Sequence, residues 1–335
     1  MPINDKDISL IKEILTITRI NAKQVQVNVY YELMNNAAAK EVLVGFEAVS
    51  PSGDVDGTPV KGEHPYMYNF TVQMNVVLLP YKVAIVDDSL YYKNGKFIDD
   101  KKSYQKADFE TNAPDFFYVY HFKANFIKGK NIIRHSYVLD ISSGVDYLTN
   151  LQYVLTTAKR WANKKIDDFT LQIDLGRFSD LKISNSFFTS DREWTIVGTG
   201  KSLPVSKMEH EEGKWSQFYI QQGSIFFRKN NFVPNGNIHI LSLRNYQEVE
   251  VKTNPLNFAL PFSDKNSVNI DSKVDKIILK ILRNLPYARR GYVFQSADLK
   301  GFYEKQEWYM PNPNFKIEGV LFTKEEEEFL KGLDK

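Results

Sequence analysis

The stretch Gln24-Val25-Gln26-Val27-Asn28-Val29-Tyr30-Tyr31-Glu32-Leu33 decides the fold class of this chain. Apolar and polar side chains alternate along it, with the apolar set at every second position: Val25, Val27, Val29, Tyr31 and Leu33. Strict alternation with β-branched residues is typical of an antiparallel strand that is buried on one face. The stretch therefore predicts a sheet.

The same alternation recurs in residues 116–126 and 169–175, where Phe116, Tyr118 and Phe169 begin the apolar sets. Shorter apolar runs follow the same logic at residues 42–49, 70–79, 132–141, 153–157, 195–197, 218–227 and 238–243. Turn-forming sequences separate the runs, at residues 50–53, 93–96, 128–131 and 234–237. About ten short strands of this kind predict an antiparallel β-sandwich-like region. We assign it to residues 1–265, as one domain or two.

The C-terminal residues change to helical periodicity. Val274, Ile277, Ile278, Ile281, Leu282 and Leu285 recur at the spacing of one helix face. Ser272 and Asp275 resemble a capping box at its start, and Pro286 is expected to bend or interrupt the helix near Leu285. A second short helix is predicted to start at Ser296.

A third helix is predicted between a capping box at Thr323-Lys324-Glu325-Glu326 and Gly332. Together the three helices form a module at residues 270–335, and the polar segment 264–271 is the expected boundary. A module of about 65 residues is small, so we expect it to lean on the sheet region for stability.

Length and composition exclude several classes of protein. The 335 residues suggest about two domains of roughly 100–200 residues each. Lys+Arg 43 against Asp+Glu 41 leaves a formal charge of +2, which provides no electrostatic footprint for nucleic acid. The absence of cysteine excludes thiol nucleophiles, disulfides and cysteine-ligated metals. No glycine-rich phosphate loop and no apolar run long enough to span a membrane occur.

The first residues carry no secretory leader. Met1-Pro2-Ile3-Asn4-Asp5-Lys6-Asp7 lacks the basic and apolar regions of a signal peptide. Two interpretations stay open: the protein is cytoplasmic, or a signal peptide that preceded these residues has been removed.

A specific resemblance lies in the C-terminal module. It begins in Leu282-Arg283-Asn284-Leu285-Pro286-Tyr287-Ala288-Arg289-Arg290-Gly291-Tyr292-Val293-Phe294 and continues through residues 299–311. The ordered series Tyr-Ala-Arg, Gly-Tyr-x-Phe, Phe-Tyr and Trp-Tyr-x-Pro resembles the bacterial YARHG domain. The chain departs from that family at Arg290, which replaces the motif histidine, and at Pro286.

The resemblance implies a setting but no chemistry. YARHG domains are regarded as extracellular, occur in bacterial lipoproteins and beside peptidase domains, and have no established catalytic activity. Residues 7–10, 153–161 and 169–173 are similar, more weakly, to a β-rich bacterial family of unknown function. Together these resemblances imply an extracellular or periplasmic envelope protein, with a lipid anchor upstream of Met1 compatible with them. A cell-surface protein or a cell-wall component is the partner they suggest.

The motif residues are predicted to be mainly structural, forming the core of the module: Tyr287, Ala288, Arg289, Arg290, Gly291, Tyr292, Phe294, Phe302, Trp308 and Tyr309. Arg289 is expected to pair with an acid or with helix-end carbonyls inside that core. An alternative exposes Tyr287, Arg289 and Trp308 on one face, where they would stack on a sugar or bind an acidic peptide. Because adjacent arginines cannot face the same way on a helix, Arg290 is the predicted surface contact.

Candidate metal ligands are sparse. The histidines His64, His121, His135, His210 and His239 include no helical pair four residues apart. His121 and His135 fall in predicted neighbouring strands, and we interpret them as hydrogen-bonded sheet histidines rather than a metal pair. Asp54 and Asp56 hint at a calcium loop, but the following residues break the spacing and favour a turn.

Candidate catalytic residues are equally sparse. The acidic runs 209–212, 167–168 and 99–100 could supply paired carboxylates for glycoside chemistry, but solvated loops explain them better. The glycines are not arranged around a serine as a nucleophile requires. We therefore predict no catalytic residue, cofactor or metal, and a non-enzymatic envelope or extracellular protein with a binding or structural role. A hydrolase of cell-wall glycan or peptide and a cytoplasmic scaffold are the alternatives.

Overall fold

The computed structural model describes residues 5–51, 55–86, 92–93, 96–97, 116–205, 208, 211–244, 247–249, 255–263, 268–270 and 275–333. The strands of this part of the chain are β1 Ile8–Arg19, β2 Gln24–Asn35, β3 Lys40–Val49, β4 Met67–Met74, β5 Val77–Leu78, β6 Lys82–Val86, β7 Tyr92–Lys93, β8 Lys96–Phe97, β9 Phe117–Phe126, β10 Gly129–Asp140, β11 Tyr147–Tyr153, β12 Ile166–Asp174, β13 Ser179–Ser184, β14 Trp194–Val205, β15 Trp215–Phe232, β16 Ile238–Leu243, β17 Gln247–Val249 and β18 Val268–Ile270. The helices are α1 Lys276–Arg289, α2 Ala297–Tyr303 and α3 Lys324–Gly332.

One large sheet dominates the molecule. Eleven strands form it in the order β11-β16-β13-β15-β12-β1-β2-β10-β4-β5, with β14 also paired to β15. A three-stranded sheet, β3-β9-β6, packs on it, and the inward side chains of both sheets share one hydrophobic core. The predicted sandwich-like β region is thus confirmed. Within these two sheets the pairings are antiparallel except that β1 and β12 run parallel at the centre of the large sheet. The separate two-stranded pair β17–β18 is also parallel.

The alternation in the sequence maps directly onto burial. In β2, each of Val25, Val27, Val29, Tyr31 and Leu33 is buried. The strands predicted around Phe116 and Phe169 are also present, as β9 and β12. Where the period of two is unbroken, the sequence therefore predicts both the strand and its inner face.

Two strands depart from the prediction for local reasons. β1, which the alternation does not reveal, contains an irregularity between Leu10 and Lys12 that changes which positions face inward. The strand expected at residues 153–157 is instead the end of β11, which stops at Tyr153, and a 3-10 turn, Thr156–Arg160, follows it.

Helix α1 corrects two expectations. Its N-cap is Asp275, whose carboxylate accepts a hydrogen bond from the Ile277 backbone N–H, whereas Ser272 lies outside the described residues. The helix also continues through Pro286 to Arg289, so it is not interrupted near Leu285, and a bend at Pro286 stays a prediction. Because Pro286 lies in the last turn, only one backbone hydrogen bond is lost there, and the buried face continues through Leu285 and Ala288.

Helices α2 and α3 begin where the sequence predicts. Thr323 and Glu326 form the expected capping box: the Thr323 hydroxyl accepts from the Glu326 N–H at 3.1 Å, and Glu326 Oε2 accepts from the Thr323 N–H at 3.0 Å. The turns predicted at 50–53 and 93–96 and the boundary segment 264–271 lie partly outside the described residues.

The helices pack on the large sheet rather than standing apart from it. Residues 255–263 and 275–333, which we call the helical unit, share a hydrophobic core with Phe178 and Tyr219 of the β region. Trp308 Nε1 donates to the Leu260 carbonyl at 2.6 Å, which fastens the chain segment before the boundary to the helices. No helix in the described ranges has the length and apolarity needed to cross a bilayer.

Candidate functional site

A partly enclosed pocket lies between the two sheets, and we call it the inter-sheet pocket. Its walls come from both sheets and from the segment after β11: Tyr31, Val44, Gly45, Phe46, Glu47, Phe122, Ile133, His135, Tyr153, Val154, Thr157 and Trp161. The cavity measures about 30 Å³, which is room for about two water molecules. The walls are mainly aromatic and aliphatic, as in many small-molecule sites.

The pleat of the strands explains why these side chains meet. Tyr31 of β2 stands opposite Ile133 of β10, and His135 follows Ile133 on the same face. Phe46 reaches this face from β3 of the smaller sheet, with its ring centroid 4.9 Å from that of His135 and 6.3 Å from that of Tyr153. The site therefore depends on the packing of one sheet against the other.

His135 is the central polar side chain of the pocket. It is 5% exposed and stacks against Tyr31 at 5.7 Å and Tyr137 at 6.2 Å between ring centroids. Its Nδ1 has no hydrogen-bond partner, and burial lowers the pKa of the imidazole to about 3. The ring is therefore neutral at physiological pH and offers an unused polar nitrogen.

Glu13 is a buried acid behind the same tyrosines. It lies opposite Tyr31 in the pairing of β1 with β2, and it is 1% exposed. Its Oε2 has no hydrogen-bond partner, and burial raises the pKa of the carboxyl group to about 8. Burial, and then the charge of Glu13, raise the pKa of Tyr31, which shows that the two groups are electrostatically coupled.

The polar groups around the pocket are incompletely satisfied. The Tyr31 and Tyr153 hydroxyls approach each other only to 3.5 Å, at the limit of a hydrogen bond. An unsatisfied buried polar atom costs about 1–3 kcal/mol. The chain thus keeps one such atom on His135, which lines the cavity, and another on Glu13, which stands opposite the lining residue Tyr31 on the neighbouring strand.

Charge at the edge of the pocket is internally paired. Glu47 lines the pocket, and its Oε1 accepts a hydrogen bond from Arg160 Nη1 at 2.5 Å. The Glu47 side chain is 10% exposed and that of Arg160 is 29% exposed. The pocket therefore carries little net charge at neutral pH.

The predicted histidine pair is divided between the sheets. His121 lies on β9, which pairs with β3 and β6, whereas His135 lies on β10, which pairs with β2 and β4. His121 also alternates with Tyr120 and Phe122, which face the core, so it points to the opposite side of its strand. We predicted a hydrogen-bonded histidine at position 135, and its Nδ1 has no hydrogen-bond partner.

The other candidate ligands serve local structure. His64 Nε2 lies 3.0 Å from the Val49 carbonyl, and His239 Nε2 lies 3.1 Å from Asn150 Oδ1. Asp56 accepts from the Thr58 N–H at 2.9 Å. Asp54, Glu209, His210 and the acids at 99–100 lie outside the described residues. In the residues that are described, no group of three or more metal-ligating side chains is assembled.

The acidic pair at 167–168 lies on β12 instead of a loop. Asp168 Oδ2 accepts from Lys12 Nζ of β1 at 2.7 Å, across the parallel pair of strands. Glu211, from the other acidic run, accepts from the Tyr147 hydroxyl at 2.9 Å. These two contacts link neighbouring elements of the sheet region.

Arg290, the predicted surface contact, is buried instead, with 4% exposure. Its guanidinium forms a bidentate pair with Glu326, at 2.7 Å from Nη1 to Oε1 and 2.7 Å from Nη2 to Oε2. It also donates to the Pro286 carbonyl at 2.7 Å and lies 4.9 Å from the Phe178 ring. The periodicity argument fails because Arg290 is the C-cap, with φ −87° and ψ 0°, and does not follow the helix.

Arg289 is buried as well, with 5% exposure. Its Nη2 donates to the Ser263 carbonyl at 3.0 Å, and its Nη1 lies 3.5 Å from Glu326 Oε1. Trp308 is 4% exposed, so the alternative of an exposed face with Tyr287, Arg289 and Trp308 is not formed. Of the other motif residues, Ala288, Gly291, Phe294, Phe302 and Tyr309 are buried, whereas Tyr287 and Tyr292 are half-buried.

Glu326 is the buried acid that pairs with Arg289 and Arg290, and sequence reasoning missed it. Burial alone would raise the pKa of its carboxyl group, but hydrogen bonds from Arg290 and the Thr323 backbone and the charges of both arginines lower it. The sequence reveals Glu326 as a capping residue, and no spacing rule connects it with Arg290, which is 36 residues away.

Comparisons with known proteins give one match to the C-terminal residues and one to the whole chain. Residues 264–335 match the family model of the YARHG domain. The whole fold is similar to a crystal structure from Legionella pneumophila, provisionally described as a nutrient binding protein. That likeness has a TM-score of 0.51 and 15% identity, over 100% of this chain and 95% of that one.

A second solved structure is only distantly similar. It is an M1 zinc metallopeptidase from Deinococcus radiodurans, with a TM-score of 0.30 and 8% identity over 71% of this chain and 43% of that one. A similarity of this size does not show a shared fold. No curated protein matches the sequence. The chain carries a C-terminal YARHG domain, residues 264–335, after a β-rich N-terminal region.

Proposed function

We propose that this chain is a non-enzymatic binding protein of the bacterial cell envelope or extracellular space. The ligand site is the inter-sheet pocket of the β region, residues 1–265, and the C-terminal module, residues 270–335, is a structural unit docked on that region. The observation that carries this proposal is the unsatisfied buried nitrogen of His135 in the pocket lining, with the unsatisfied buried acid Glu13 opposite the lining residue Tyr31. The description of the Legionella protein as nutrient binding supports a ligand-binding role.

The protonation states of the pocket favour binding over catalysis. A general base works best when its pKa lies near the operating pH, and the pKa of His135 is about 3. Glu13, with a pKa of about 8, is mostly protonated at pH 7, and it lies opposite the lining residue Tyr31 rather than in the pocket wall. Neither group is placed beside a serine or threonine hydroxyl in the described hydrogen bonds, so the pocket lacks an activated nucleophile of that kind.

A ligand screen on the full chain tests the proposal. Thermal unfolding is followed in the presence of small amines, amino acids, sugars and organic acids. We expect at least one class to raise Tm, because a ligand bound only to the folded state stabilises it. The rise should be lost in His135→Phe and retained in His239→Phe, which removes a sheet histidine packed on Trp215 outside the pocket.

A screen in which no compound raises Tm would contradict the pocket as a ligand site. A rise that persists in His135→Phe would place the ligand elsewhere, for instance in a wall- or protein-binding surface. Circular dichroism of each variant confirms that the fold is intact before its Tm is compared.

The envelope setting has its own test. The protein, expressed from its native gene with all upstream sequence, is followed by immunoblotting of cytoplasmic, membrane, wall and culture fractions. We expect it in the membrane, wall or culture fraction. Recovery in the cytoplasm alone would favour the cytoplasmic scaffold.

A further inference from the structure

Aromatic rings make up much of the lining of the inter-sheet pocket. Tyr31, Phe46 and Tyr153 all line it, and Phe46 lies within 6.3 Å of Tyr153, centroid to centroid. The faces of aromatic rings carry partial negative charge, so they attract a cation that is held against them and repel an anion.

The polar groups of the pocket favour the same sign of charge. Lys and Arg are absent from its lining set, and the neighbouring Arg160 is bound to Glu47. The neutral imidazole of His135 can accept a hydrogen bond at Nδ1 when its proton is on Nε2. Glu13, behind Tyr31, can become an anion when a positive charge enters. An anionic ligand would find no fixed positive charge in this lining.

We propose that the inter-sheet pocket binds the ammonium head group of a small organic amine, with Tyr31, Phe46 and Tyr153 around it, His135 as hydrogen-bond acceptor and Glu13 as counter-ion. This inference rests on the proposed function, since it requires the pocket to be a ligand site. It goes further by fixing the chemical class of the ligand.

The size of the cavity limits what enters it. A volume of about 30 Å³ has room for about two water molecules. An ammonium or methylammonium head is of this size, so a larger amine must place its remaining atoms outside this cavity.

Proton release gives this binding mode a measurable signature. In the free protein the pKa of Glu13 is about 8, because burial disfavours its charged form. A bound cation stabilises the carboxylate, so binding at pH 7 should release about 0.9 proton, and affinity should rise about tenfold between pH 7 and pH 9. Alkylammonium ions remain charged over this range, as the lysine side chain does with its pKa of about 10.4.

His135 and the buried tyrosines near Glu13 do not titrate in this range. His135 on β10 has a pKa of about 3, and the tyrosines have pKa values raised by burial. On its own strand, Lys12 is bonded to Asp168, and at the pocket edge Glu47 is paired with Arg160. The strands around β1 and the turn after β11 carry the other titratable or charged side chains of this region: Tyr31, His135, Tyr137, Tyr153, Glu47 and Arg160.

Calorimetric titration of the full chain tests the inference, with n-butylammonium chloride, n-butanol and sodium butyrate as matched probes in phosphate buffer. We expect butylammonium to bind at least about tenfold more tightly than the alcohol or the carboxylate, since they lack the attractive charge. A pH-stat measurement in lightly buffered solution then counts the protons released on binding.

Two variants isolate the role of the buried acid. Glu13→Gln should abolish proton release and weaken butylammonium binding about tenfold or more. Asp180→Asn is the control, because Asp180 is also an acid whose pKa is raised by burial, although its side chain is 19% exposed, and it bonds to Gln217 outside the pocket. It should leave both readouts unchanged. Thermal unfolding confirms that each variant folds.

The outcomes separate this inference from the proposed function. If butanol or butyrate binds as tightly as the amine, and Phe46→Ala removes that binding, the pocket is a ligand site but the amine inference is overturned. If the amine binds without proton release, Glu13 is not its counter-ion and the inference fails in that form. If no probe binds, and the wider screen is also negative, both the inference and the proposed function are overturned.

Discussion

A single carboxylate joins three parts of the helical unit. Glu326 caps α3 through the Thr323 backbone, accepts the bidentate fork of Arg290 and lies 3.5 Å from Arg289. Its side chain is fully buried, whereas the arginine side chains are 5% exposed. A buried ion pair is costly to desolvate, but breaking one leaves an uncompensated charge inside the protein. The motif arginines therefore join the end of α1 to α3 in the interior of the helical unit.

Removing that carboxylate charge should be strongly destabilising. We expect Glu326→Gln to lower the free energy of unfolding by about 3–5 kcal/mol, because both arginines then lack their anion. Urea denaturation measures the change. The control is Glu328→Gln, whose exposed pair with Lys324 at 4.0 Å should contribute about 0.5 kcal/mol or less. A loss in Glu326→Gln no larger than in the control would refute the interior role of the pair.

Glu13 makes stability depend on pH in a direction opposite to that of most acids. The pKa of its carboxyl group is about 8 in the folded chain, above its ordinary value of about 4.3 when unfolded. Between these pH values the unfolded state binds fewer protons than the folded state. The contribution of Glu13 to the free energy of unfolding is therefore complete at low pH and is lost as the pH rises toward 8. The free energy of unfolding of Glu13→Gln, measured relative to that of the natural chain, should therefore increase by roughly 2–3 kcal/mol from pH 5 to pH 7.

Denaturant titrations of both proteins at the two pH values measure this difference. Asp168→Asn, at an exposed acid paired with Lys12, serves as the control for general effects of removing a carboxylate. A difference in free energy of unfolding between the two proteins that stays constant from pH 5 to pH 7 would show that Glu13 keeps an ordinary pKa in the folded protein.

At the scale of the element, the end of α1 explains much of the motif. Tyr292 N donates to the Tyr287 carbonyl at 3.0 Å, and Gly291 N donates to the Ala288 carbonyl at 2.9 Å, which together form a Schellman cap. Gly291 adopts φ +85°, and a Cβ there would lie 2.5 Å from the Met310 carbonyl oxygen. The glycine lets the chain reverse against residues 310–312, and this reversal turns Arg290 inward.

Substituting this glycine should therefore weaken the helical unit. We expect Gly291→Ala to lower the free energy of unfolding by about 1–3 kcal/mol, from the left-handed conformation and the close backbone approach. The matched control is Gly301→Ala in α2, where a Cβ meets no atom within 4 Å. Alanine there should stabilise by about 0.5–1 kcal/mol, since it favours the helix. Urea unfolding that showed the same sign for both variants would contradict this account.

At the scale of the whole molecule, one aromatic side chain links the sheet to the helices. Phe178 of the β region is 1% exposed, lies 4.9 Å from the Arg290 guanidinium and contacts Phe262 at 6.0 Å between ring centroids. It belongs to the core of the helical unit rather than to the core between the sheets. The two units are therefore expected to stabilise each other.

Truncating that link should loosen the helices selectively. We expect Phe178→Ala to destabilise the protein by about 3–5 kcal/mol, with the loss felt first in the helical unit. Hydrogen–deuterium exchange of residues 276–333 should accelerate, because these amides open when their docking surface is removed. Phe188→Ala, a truncation in the core between the sheets, is the control. Equal acceleration in both variants would show that Phe178 has no special role in docking.

The sequence by itself determined the strands with unbroken alternation, such as β2 and β12, the capped start of α3 and the YARHG resemblance. These depend on local periodicity, on capping chemistry within four residues and on ordered motif residues. It missed β1, because a local irregularity breaks the phase, and it misplaced Arg290, because a helix cap ends the periodicity on which the argument relied.

Only the tertiary structure decided the candidate site. Glu13, Tyr31, Phe46, His135 and Tyr153 come from five strands in two sheets, and no sequence spacing brings them together. The pairing of Glu326 with both arginines has the same origin, since α3 returns to the end of α1 only after the unit has packed. Local patterns specify which face of an element is buried, whereas the neighbours of each buried polar group follow from long-range packing.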